Sequence, residues 1–292
     1  MTDDPVVIHR SLLFTVAYEM LGSAADAEDV VQESWLRWAD LGGANQAAVR
    51  DPRAYLVRVV TRQALNRLRT QVRRREDYVG PWLPEPLLTS PDIAEDVELA
   101  DSISFAMLTV LETLGPMERA VFVLREVFQT PYDEIADAVG KTPTGVRQIA
   151  HRAREHVAAR RPRVQVSQAE RQAVVVRFLA AVRSGDIQAL LEVLAPDVVV
   201  VSDGGGVVAA ARRPIEGADR VGAFLSGLAA SPGDFEAMPV WLNGAPAARF
   251  ALDGELNTVA SLGIEGGRIT HIYAVRNPHK LARLDREAEL SR

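Results

Sequence analysis

The stretch "PYDEIADAVGKTPTGVRQIAHRAREH", residues 131–156, has the pattern of two short helices joined by a tight turn. Gly140 suits the turn, Thr142 can cap the second helix, and Pro143 suits that helix's first position. The apolar residues predicted to face inward are Ile135, Ala136 and Val139 on the first helix, then Val146, Ile149 and Ala150 on the second. Cap, turn and apolar spacing together predict a helix-turn-helix.

The outer face of the second helix is polar and basic. The residues predicted to point outward are Thr144, Arg147, Gln148, His151 and Arg152. Such side chains can hydrogen-bond base edges and phosphates in the major groove of DNA. We therefore predict a DNA-binding helix. The alternative is a surface helix pair with solvated arginines, and the agreement of turn, cap and charge favours DNA binding.

Charge along the chain is strongly segregated. The net charge is −6, yet residues 53–75 contain eight arginines and no acid, and residues 141–163 contain seven basic residues and one acid. The compensating acids cluster at 19–40 and 76–101. This segregation indicates two basic surfaces for a polyanion and separate acidic surfaces.

Composition excludes several classes of protein. The 292 residues contain no cysteine, which excludes disulfides, thiolate metal sites and a cysteine nucleophile. The start "MTDDPVVIHR" has acids where a signal peptide needs basic residues, and stretches such as "PDVVVVS" are too short to span a bilayer. We expect a cytoplasmic, globular protein of two or more domains, without contact to a membrane.

Residues 1–160 have helical apolar spacing and no convincing strand, and single helices are predicted over 101–114 and over 116–128. Ser23 can cap one helix, and Asp51-Pro52 is a strong start for a long helix over 52–75. A loop containing Gly42 and Gly43 is predicted between these helices, at 41–50. The long helix places arginines on the faces opposite its apolar side chains, near aromatics and Asn66, which makes single-strand binding plausible.

Beyond residue 164 the pattern changes to two helices, a strand, a helix and a meander of four strands. Asn243-Gly244 is a type I′ hairpin signal, and "EGG" at 265–267 marks another turn. This order predicts an α+β domain of about 120 residues. Within the helical part, the segment "GPWLPEPLLT" (80–89) has three prolines and a tryptophan, so it is extended and carries an apolar anchor that a plain spacer lacks.

Two segments carry a family resemblance. "ADAEDVVQESWLRW" (25–38) followed by "DPRAYLVRVVTRQALNRLR" (51–69) resembles the first conserved domain of sigma-70-type factors of the small extracytoplasmic-function group. "LGPMERAVFVLREVFQTPYDEIADAVGKTPTGVRQIAHRARE" (114–155) resembles their promoter −35 binding domain. The resemblance covers about residues 8–160 and is specific in motif order and spacing.

The resemblance implies partners and residues. RNA polymerase core enzyme, through its β′ clamp and β flap, and promoter DNA would be the partners. The residues implied to bind the clamp are Asp29, Gln32, Glu33 and Trp35. Those implied to bind the −10 element are Arg58, Arg62, Asn66 and Arg69, with the loop at 41–50 capturing a flipped base. The −35 residues are the five outward side chains already named.

The C-terminal part resembles the sigma factors with a fused SnoaL-like domain. "GPWLPEP", "DGGG" (203–206) and "NPHKL" (277–281) resemble their signatures, although Val207 stands where a lysine is expected and His279 where an acid is expected. The implied interdomain regulatory residues are Trp82, Leu83, Pro84, Asp203, Asn277, Pro278, Lys280 and Leu281. In particular, Trp82 and Leu83 are predicted to dock in a groove of the C-terminal domain.

The predicted fold class is multidomain: two all-α sigma domains, then an α+β SnoaL-like or ketosteroid-isomerase-like cone. The predicted boundaries are 1–76 for sigma domain 2, 77–100 for the linker, 101–163 for sigma domain 4, 164–285 for the cone and 286–292 for a tail. The fused domain is expected to alter promoter opening in cis, without a separate anti-sigma factor. The polymerase performs the chemistry, so no metal or cofactor is expected.

Two other functions remain open at this point. Enzymes with the cone fold use an Asp or His base in an apolar pocket, so Asp203, His271 and Tyr273 could belong to an isomerase or polyketide cyclase carried on a DNA-binding tether. The same residues could equally be ordinary strand and turn residues. A polymerase-independent helix-turn-helix regulator that senses a small molecule in the C-terminal domain is the second alternative.

Overall fold

The computed structural model describes residues 4–76, 78–160, 166–229 and 233–292, without the side chains of 72–76 and 229. The chain divides into two compact units. We call them the helical unit, Met1–Glu76, Met107–Arg161 and Glu289–Arg292, and the sheet unit, Asp77–Ala106 and Pro162–Ala288. The predicted linker therefore belongs to the same unit as the C-terminal domain, and both predicted sigma domains share the other. The side chains of the basic run 73–75, and residues 161–163, lie outside the described part.

The first half of the chain is helical. Its helices are α1 (Pro5–Ile8), α2 (Arg10–Leu21), α3 (Ala24–Asp40), α4 (Gly42–Ala48), α5 (Pro52–Glu76), α6 (Val97–Ser102), α7 (Phe105–Leu111), α8 (Pro116–Phe122), α9 (Tyr132–Val139) and α10 (Pro143–Ala158), with a 3₁₀ turn at Pro91–Glu95 and a π-helical turn at Val123–Val127. The predicted single helix over 101–114 is wrong, because α6 ends at Ser102 and α7 begins at Phe105.

The centre of the helical unit is α2, which packs against α3 and α5. It is apolar on nearly every side, and Leu13, Val16, Tyr18 and Met20 have no exposed surface, as expected for a helix surrounded by others. The predicted cap of α3 is confirmed, since the Ser23 hydroxyl accepts the N–H of Asp26 at 3.2 Å.

The helix-turn-helix is confirmed. Gly140 ends α9 in the left-handed region at φ 68°, and the Thr142 hydroxyl accepts the N–H of Gly145 at 3.2 Å. Ile135 and Val146 are completely buried between the two helices, whereas Ile149 is only half-buried. The outer face of α10 is thereby presented to solvent.

The sheet unit completes the fold. After α11 (Gln168–Ser184) and α12 (Ile187–Val193), its elements are β1 (Leu194–Asp203), β2 (Ile215–Glu216), α13 (Ala218–Ala229), β3 (Phe235–Leu242), β4 (Ala245–Leu252), β5 (Glu255–Glu265), β6 (Arg268–Val275) and α14 (Pro278–Leu281). The strand order is β2-β1-β6-β5-β4-β3, with β1 parallel to β6 and the other neighbours antiparallel. The predicted turns are confirmed by positive φ at Asn243 and Gly244 and at Gly266 and Gly267.

The sheet is covered on both faces. One face packs against α11, α12 and α13 through a core that includes Phe178, Phe250 and Ile272. The other face packs against Leu83 of the linker, against Phe105 of α7 and against residues that follow β6. The linker is therefore a structural layer of this unit, since each fully buried leucine-sized side chain contributes about 1.5–3 kcal/mol.

Across the described ranges, no helix combines the length and the apolar character that a membrane crossing requires.

Candidate nucleic-acid interface and linker clamp

The four residues predicted to bind polymerase lie on the exposed side of α3. Arg67 of α5 contacts two of them, with its guanidinium 2.7 Å from Asp29 and 3.3 Å from Glu33. Trp35 is 44% exposed and donates its indole N–H to Asp4, whereas Trp38 is buried beside Tyr55. The helix therefore presents acids, an amide and one tryptophan, a surface that suits a basic partner.

The residues predicted to bind the −10 element follow one side of α5. Arg62, Asn66 and Arg69 are exposed, and Arg58 is half-buried with its guanidinium 5.4 Å from the ring centre of Tyr55. A cavity of about 630 Å³ lies beside them, lined by Arg37, Tyr55, Arg58, Val59, Arg62 and Asn66, among others. Aromatic and guanidinium groups around an open cavity can stack on an unpaired base.

The loop predicted at 41–50 is wrong, because residues Gly42–Ala48 form α4. Alanine and glutamine favour helix formation over this stretch despite its glycines. The Gln46 amide donates to the carbonyl of Trp38 at 2.7 Å, and the Asn45 amide donates to that of Leu41. The segment next to the −10 surface is thus a short helix tied to the end of α3.

The five residues predicted for −35 binding are all exposed on α10. Their contacts with carboxylates are long: His151 lies 3.6 Å from Glu155, and Arg152 lies 3.9 Å from Glu118. Such solvent-exposed pairs contribute little to stability, so these side chains can exchange partners at small cost. Arg147 lies over the ring of Tyr132 at 5.3 Å, which orients its guanidinium.

The carboxylate of Asp203, at the end of β1, has no exposed surface and accepts hydrogen bonds from separate segments of the sheet unit. The donors are the Tyr78 hydroxyl at 2.6 Å, the Leu83 N–H at 2.9 Å, the Gly205 N–H at 3.0 Å and the Lys280 ammonium at 2.7 Å. We call Tyr78, Trp82, Leu83, Asp203, Asn277 and Lys280 the linker clamp. These four donors satisfy the hydrogen-bonding capacity of the buried carboxylate.

Lys280 connects the clamp to the linker in three ways. Its ammonium pairs with Asp203, donates to the carbonyl of Leu83 and lies 4.1 Å from the ring centre of Trp82. Burial and the hydrogen bond to Asp203 raise the pKa of Tyr78, so its hydroxyl remains a donor at neutral pH. One cation therefore holds a backbone carbonyl, an aromatic ring and a carboxylate together.

The glycines after Asp203 permit this close packing. Gly205 has φ 63°, and a Cβ there would lie 2.2 Å from the amide nitrogen of Asn277. That amide donates to the Tyr78 hydroxyl at 2.9 Å, and the backbone N–H of Asn277 donates to the carbonyl of Asp203. The "DGGG" and "NPHKL" segments thus meet each other and the linker. The two residues that depart from the family signatures are Val207 and His279. Val207 is 58% exposed, and the backbone N–H of His279 donates to the side chain of Asn277.

The structure places the other predicted regulatory residues at the same contact. Pro84 is buried, Pro278 begins α14, and Leu281 packs with Leu83 in the apolar layer beneath the clamp.

Two linker contacts were not predicted. Tyr78 had no sequence signal, and Asn243 was predicted only as a turn residue. The fully buried Asn243 amide accepts the N–H of Leu87 at 3.0 Å and donates to the carbonyl of Ile103 at 2.9 Å. The hairpin turn therefore holds the second half of the linker.

The three residues considered for catalysis lie on one face of the sheet, as predicted for His271 and Tyr273. The paired register of β1 and β6 puts Asp203 on that face too. This face is covered by the linker and by the start of α7. The rings of Tyr273 and Phe105 have their centres 6.2 Å apart, and the carboxylate of Asp203 is hydrogen-bonded by residues of the clamp. This arrangement favours the interpretation of Asp203, His271 and Tyr273 as ordinary strand and turn residues over a role in catalysis.

The helices and the helix-turn-helix define the class of protein as a sigma-70-type factor, which here carries a C-terminal α+β domain. Matches to Sigma-70 region 2 cover residues 6–74, and matches to Sigma-70 region 4 cover residues 104–157.

Relatives cover nearly the whole chain. The ECF RNA polymerase sigma factor SigJ of Mycobacterium tuberculosis is 36% identical over 285 residues, covering 93% of this chain and 90% of the relative. The probable ECF RNA polymerase sigma factor SigI of the same species is also 36% identical, over 94% of this chain and 92% of the relative. The crystal structure of SigJ matches with a TM-score of 0.73 at 32% identity, covering 95% and 97% of the two chains. This chain belongs to the ECF RNA polymerase sigma factor family.

Proposed function

We propose that this sigma factor docks on the polymerase core through Asp29, Gln32, Glu33 and Trp35 and reads promoters with two helices. The exposed acids of α3 suit a basic helical partner, and the arginines of α5 lie beside a cavity that can accept a flipped base. The outer face of α10 suits the −35 duplex. The protein itself needs no catalytic residue for this role.

We further propose that the cone domain controls the factor in cis by holding its linker. One observation carries this proposal: the linker, "DGGG" and "NPHKL" meet at the buried carboxylate of Asp203. The sigma-factor resemblance implies that the linker lies near the catalytic channel of the polymerase when the factor is bound. Linker residues 83–87 are buried against the sheet unit here, so their engagement with polymerase requires a different set of contacts.

Run-off transcription with purified core polymerase tests both proposals. The full chain is compared with truncations after residue 165 and within 277–292, on templates that include the upstream region of its own gene. Core-dependent initiation by the full chain supports the sigma role, and altered initiation by either truncation supports control in cis. Absence of core-dependent initiation by every form contradicts the sigma role.

The small-molecule ligand stays a prediction. The sheet unit has a cavity of about 340 Å³ between α6, the start of α11 and the β3–β4 turn, with Asp101, Gln168 and Arg171 among its lining residues. Binding there would contact the linker and the cone domain together. A thermal-shift screen of the full chain and Arg171→Ala would support this place if a compound stabilises only the parent chain.

A further inference from the structure

Sigma regions 2 and 4 pack together within the helical unit. Helix α5, which carries the −10 residues, contacts α8 and α9, and these two helices in turn support α10, which carries the −35 residues. Packed helices lie about 8–10 Å apart, so the two DNA-binding helices are separated by roughly 20 Å. Promoter elements named −35 and −10 are roughly 85 Å apart at about 3.4 Å per base pair. This packing cannot place both helices on their elements at once.

The first polar contact across this packing comes from region 4. Arg119 of α8 is 1% exposed, and its Nε donates to the backbone carbonyl of Glu19 in α2 at 3.0 Å. Its guanidinium also pairs with Glu112 of region 4. Burial lowers the pKa of Arg119 to about 9, which leaves it charged at neutral pH.

The second contact runs the opposite way, from region 2 to region 4. Arg62 of α5 donates to the backbone carbonyls of Asp137 at 2.8 Å and Ala138 at 3.2 Å, at the end of α9. This arginine belongs to the surface assigned to the −10 element. It cannot hold the end of α9 and a promoter phosphate or base with the same donors.

The two contacts have the same construction. Helices α2 and α9 each end at a glycine in the left-handed region, Gly22 at φ 65° and Gly140 at φ 68°. The last carbonyls of a helix lack partners within it and carry partial negative charge, so an arginine from outside is a favourable cap. Each sigma region thus supplies an arginine that caps a helix of the other.

We propose that Arg62 and Arg119 form a reciprocal latch that holds regions 2 and 4 in a closed, autoinhibited form, and that promoter engagement requires both caps to open. The inference rests on the proposed sigma role. A latch of this kind lowers the apparent affinity for core enzyme, which equals the intrinsic affinity multiplied by the fraction of molecules that are open. The −10 promoter strand competes directly with α9 for Arg62.

The test measures the distance between the regions in the full chain. Because the chain has no cysteine, spin labels can be placed uniquely at Ala39→Cys and Ala158→Cys, two exposed positions on α3 and α10. We compare the parent with the double variant Arg119→Met/Glu112→Gln, which removes both members of this ion pair together. Arg10→Met/Glu28→Gln is the matched control, since this pair lies within region 2.

We expect one narrow distance population in the parent and control, and a broader, longer one in the double variant. At limiting core enzyme the double variant should also give a several-fold higher yield of run-off transcript. Arg62→Gln, an exposed substitution, should lengthen the distance as well but lower transcription. If the double variant fails to fold, the distance measured in Arg62→Gln tests the latch instead.

An unchanged short distance in folded variants, or a long distance already present in the parent, would overturn the latch. That result is distinguishable from failure of the sigma role, in which the parent shows no core-dependent transcription whatever the distances are.

Discussion

The outer face of α10 and the linker clamp both use charged side chains, but they differ in burial and spacing. On α10, His151 and Arg152 have side chains 68% and 65% exposed and lie 3.6–3.9 Å from their acidic neighbours. In the clamp, Asp203 is fully buried and lies 2.7 Å from Lys280, whose side chain is 12% exposed. The exposed charges remain available to another molecule, whereas the buried charges are committed to the chain's own linker.

The strongest test of this difference is Lys280→Met. It leaves the buried carboxylate of Asp203 without its cation, and breaking a buried pair in this way costs about 3–5 kcal/mol. We expect a loss of that order in the free energy of unfolding measured with urea, together with faster proteolysis near residues 78–89. Asp197→Asn, an exposed carboxylate on the same strand, is the control and should change little. Adding Asp203→Asn to Lys280→Met should restore part of the loss.

A test of the exposed surface is Arg147→Ala. Loss of a specific base contact weakens binding by about 1–3 kcal/mol. We expect the reconstituted holoenzyme to lose affinity for a −35 duplex by this amount, while the thermal stability of the chain is unchanged. Arg183→Ala, an exposed arginine of α11, serves as the control. A large fall in the stability of Arg147→Ala would mean that Arg147 stabilises the fold, as the charges of the clamp do, and is not available to DNA.

Trp82→Ala separates the aromatic part of the clamp from its ionic part. A lysine over an aromatic ring contributes about 0.5–2 kcal/mol, so stability should fall by this smaller amount and folding should survive. We expect the yield of run-off transcript to change, because the linker is held less firmly. Trp82→Phe keeps a ring under Lys280 and should behave more like the parent. Unchanged transcription and unchanged protection of the linker would contradict this role.

The smallest effect concerns the apolar layer beneath the clamp. Burial, with a smaller contribution from Glu265, raises the pKa of Tyr273 from 10.0 to about 12. A raised pKa stabilises the fold below pH 10, and this stabilisation is lost as the pH rises toward 12. The parent should lose about 1 kcal/mol more than Tyr273→Phe between pH 10 and pH 11. If the free energy of unfolding falls equally in the two chains between pH 10 and pH 11, the Tyr273 hydroxyl is solvated by water and its pKa is not raised by burial.

Local sequence signals predicted the elements that local forces determine. The cap at Thr142, the turn at Gly140 and the hairpin at Asn243-Gly244 follow from backbone preferences of single residues, and all are present. The predicted loop at 41–50 was wrong because the helix propensity of its alanines outweighs two glycines. Likewise, a single helix was predicted where residues 103 and 104 separate α6 from α7.

By itself, the sequence determined the family, the helix-turn-helix, the C-terminal α+β domain and which side chains face outward on α3 and α10, since periodicity and caps act within a few residues. The tertiary structure decided the rest. It placed Tyr78, Asp203 and Lys280 at one point, although they are up to about 200 positions apart in the sequence, and it placed Arg62 on the end of α9. No local pattern encodes such contacts, because a buried charge obtains its partners from the packing of distant segments.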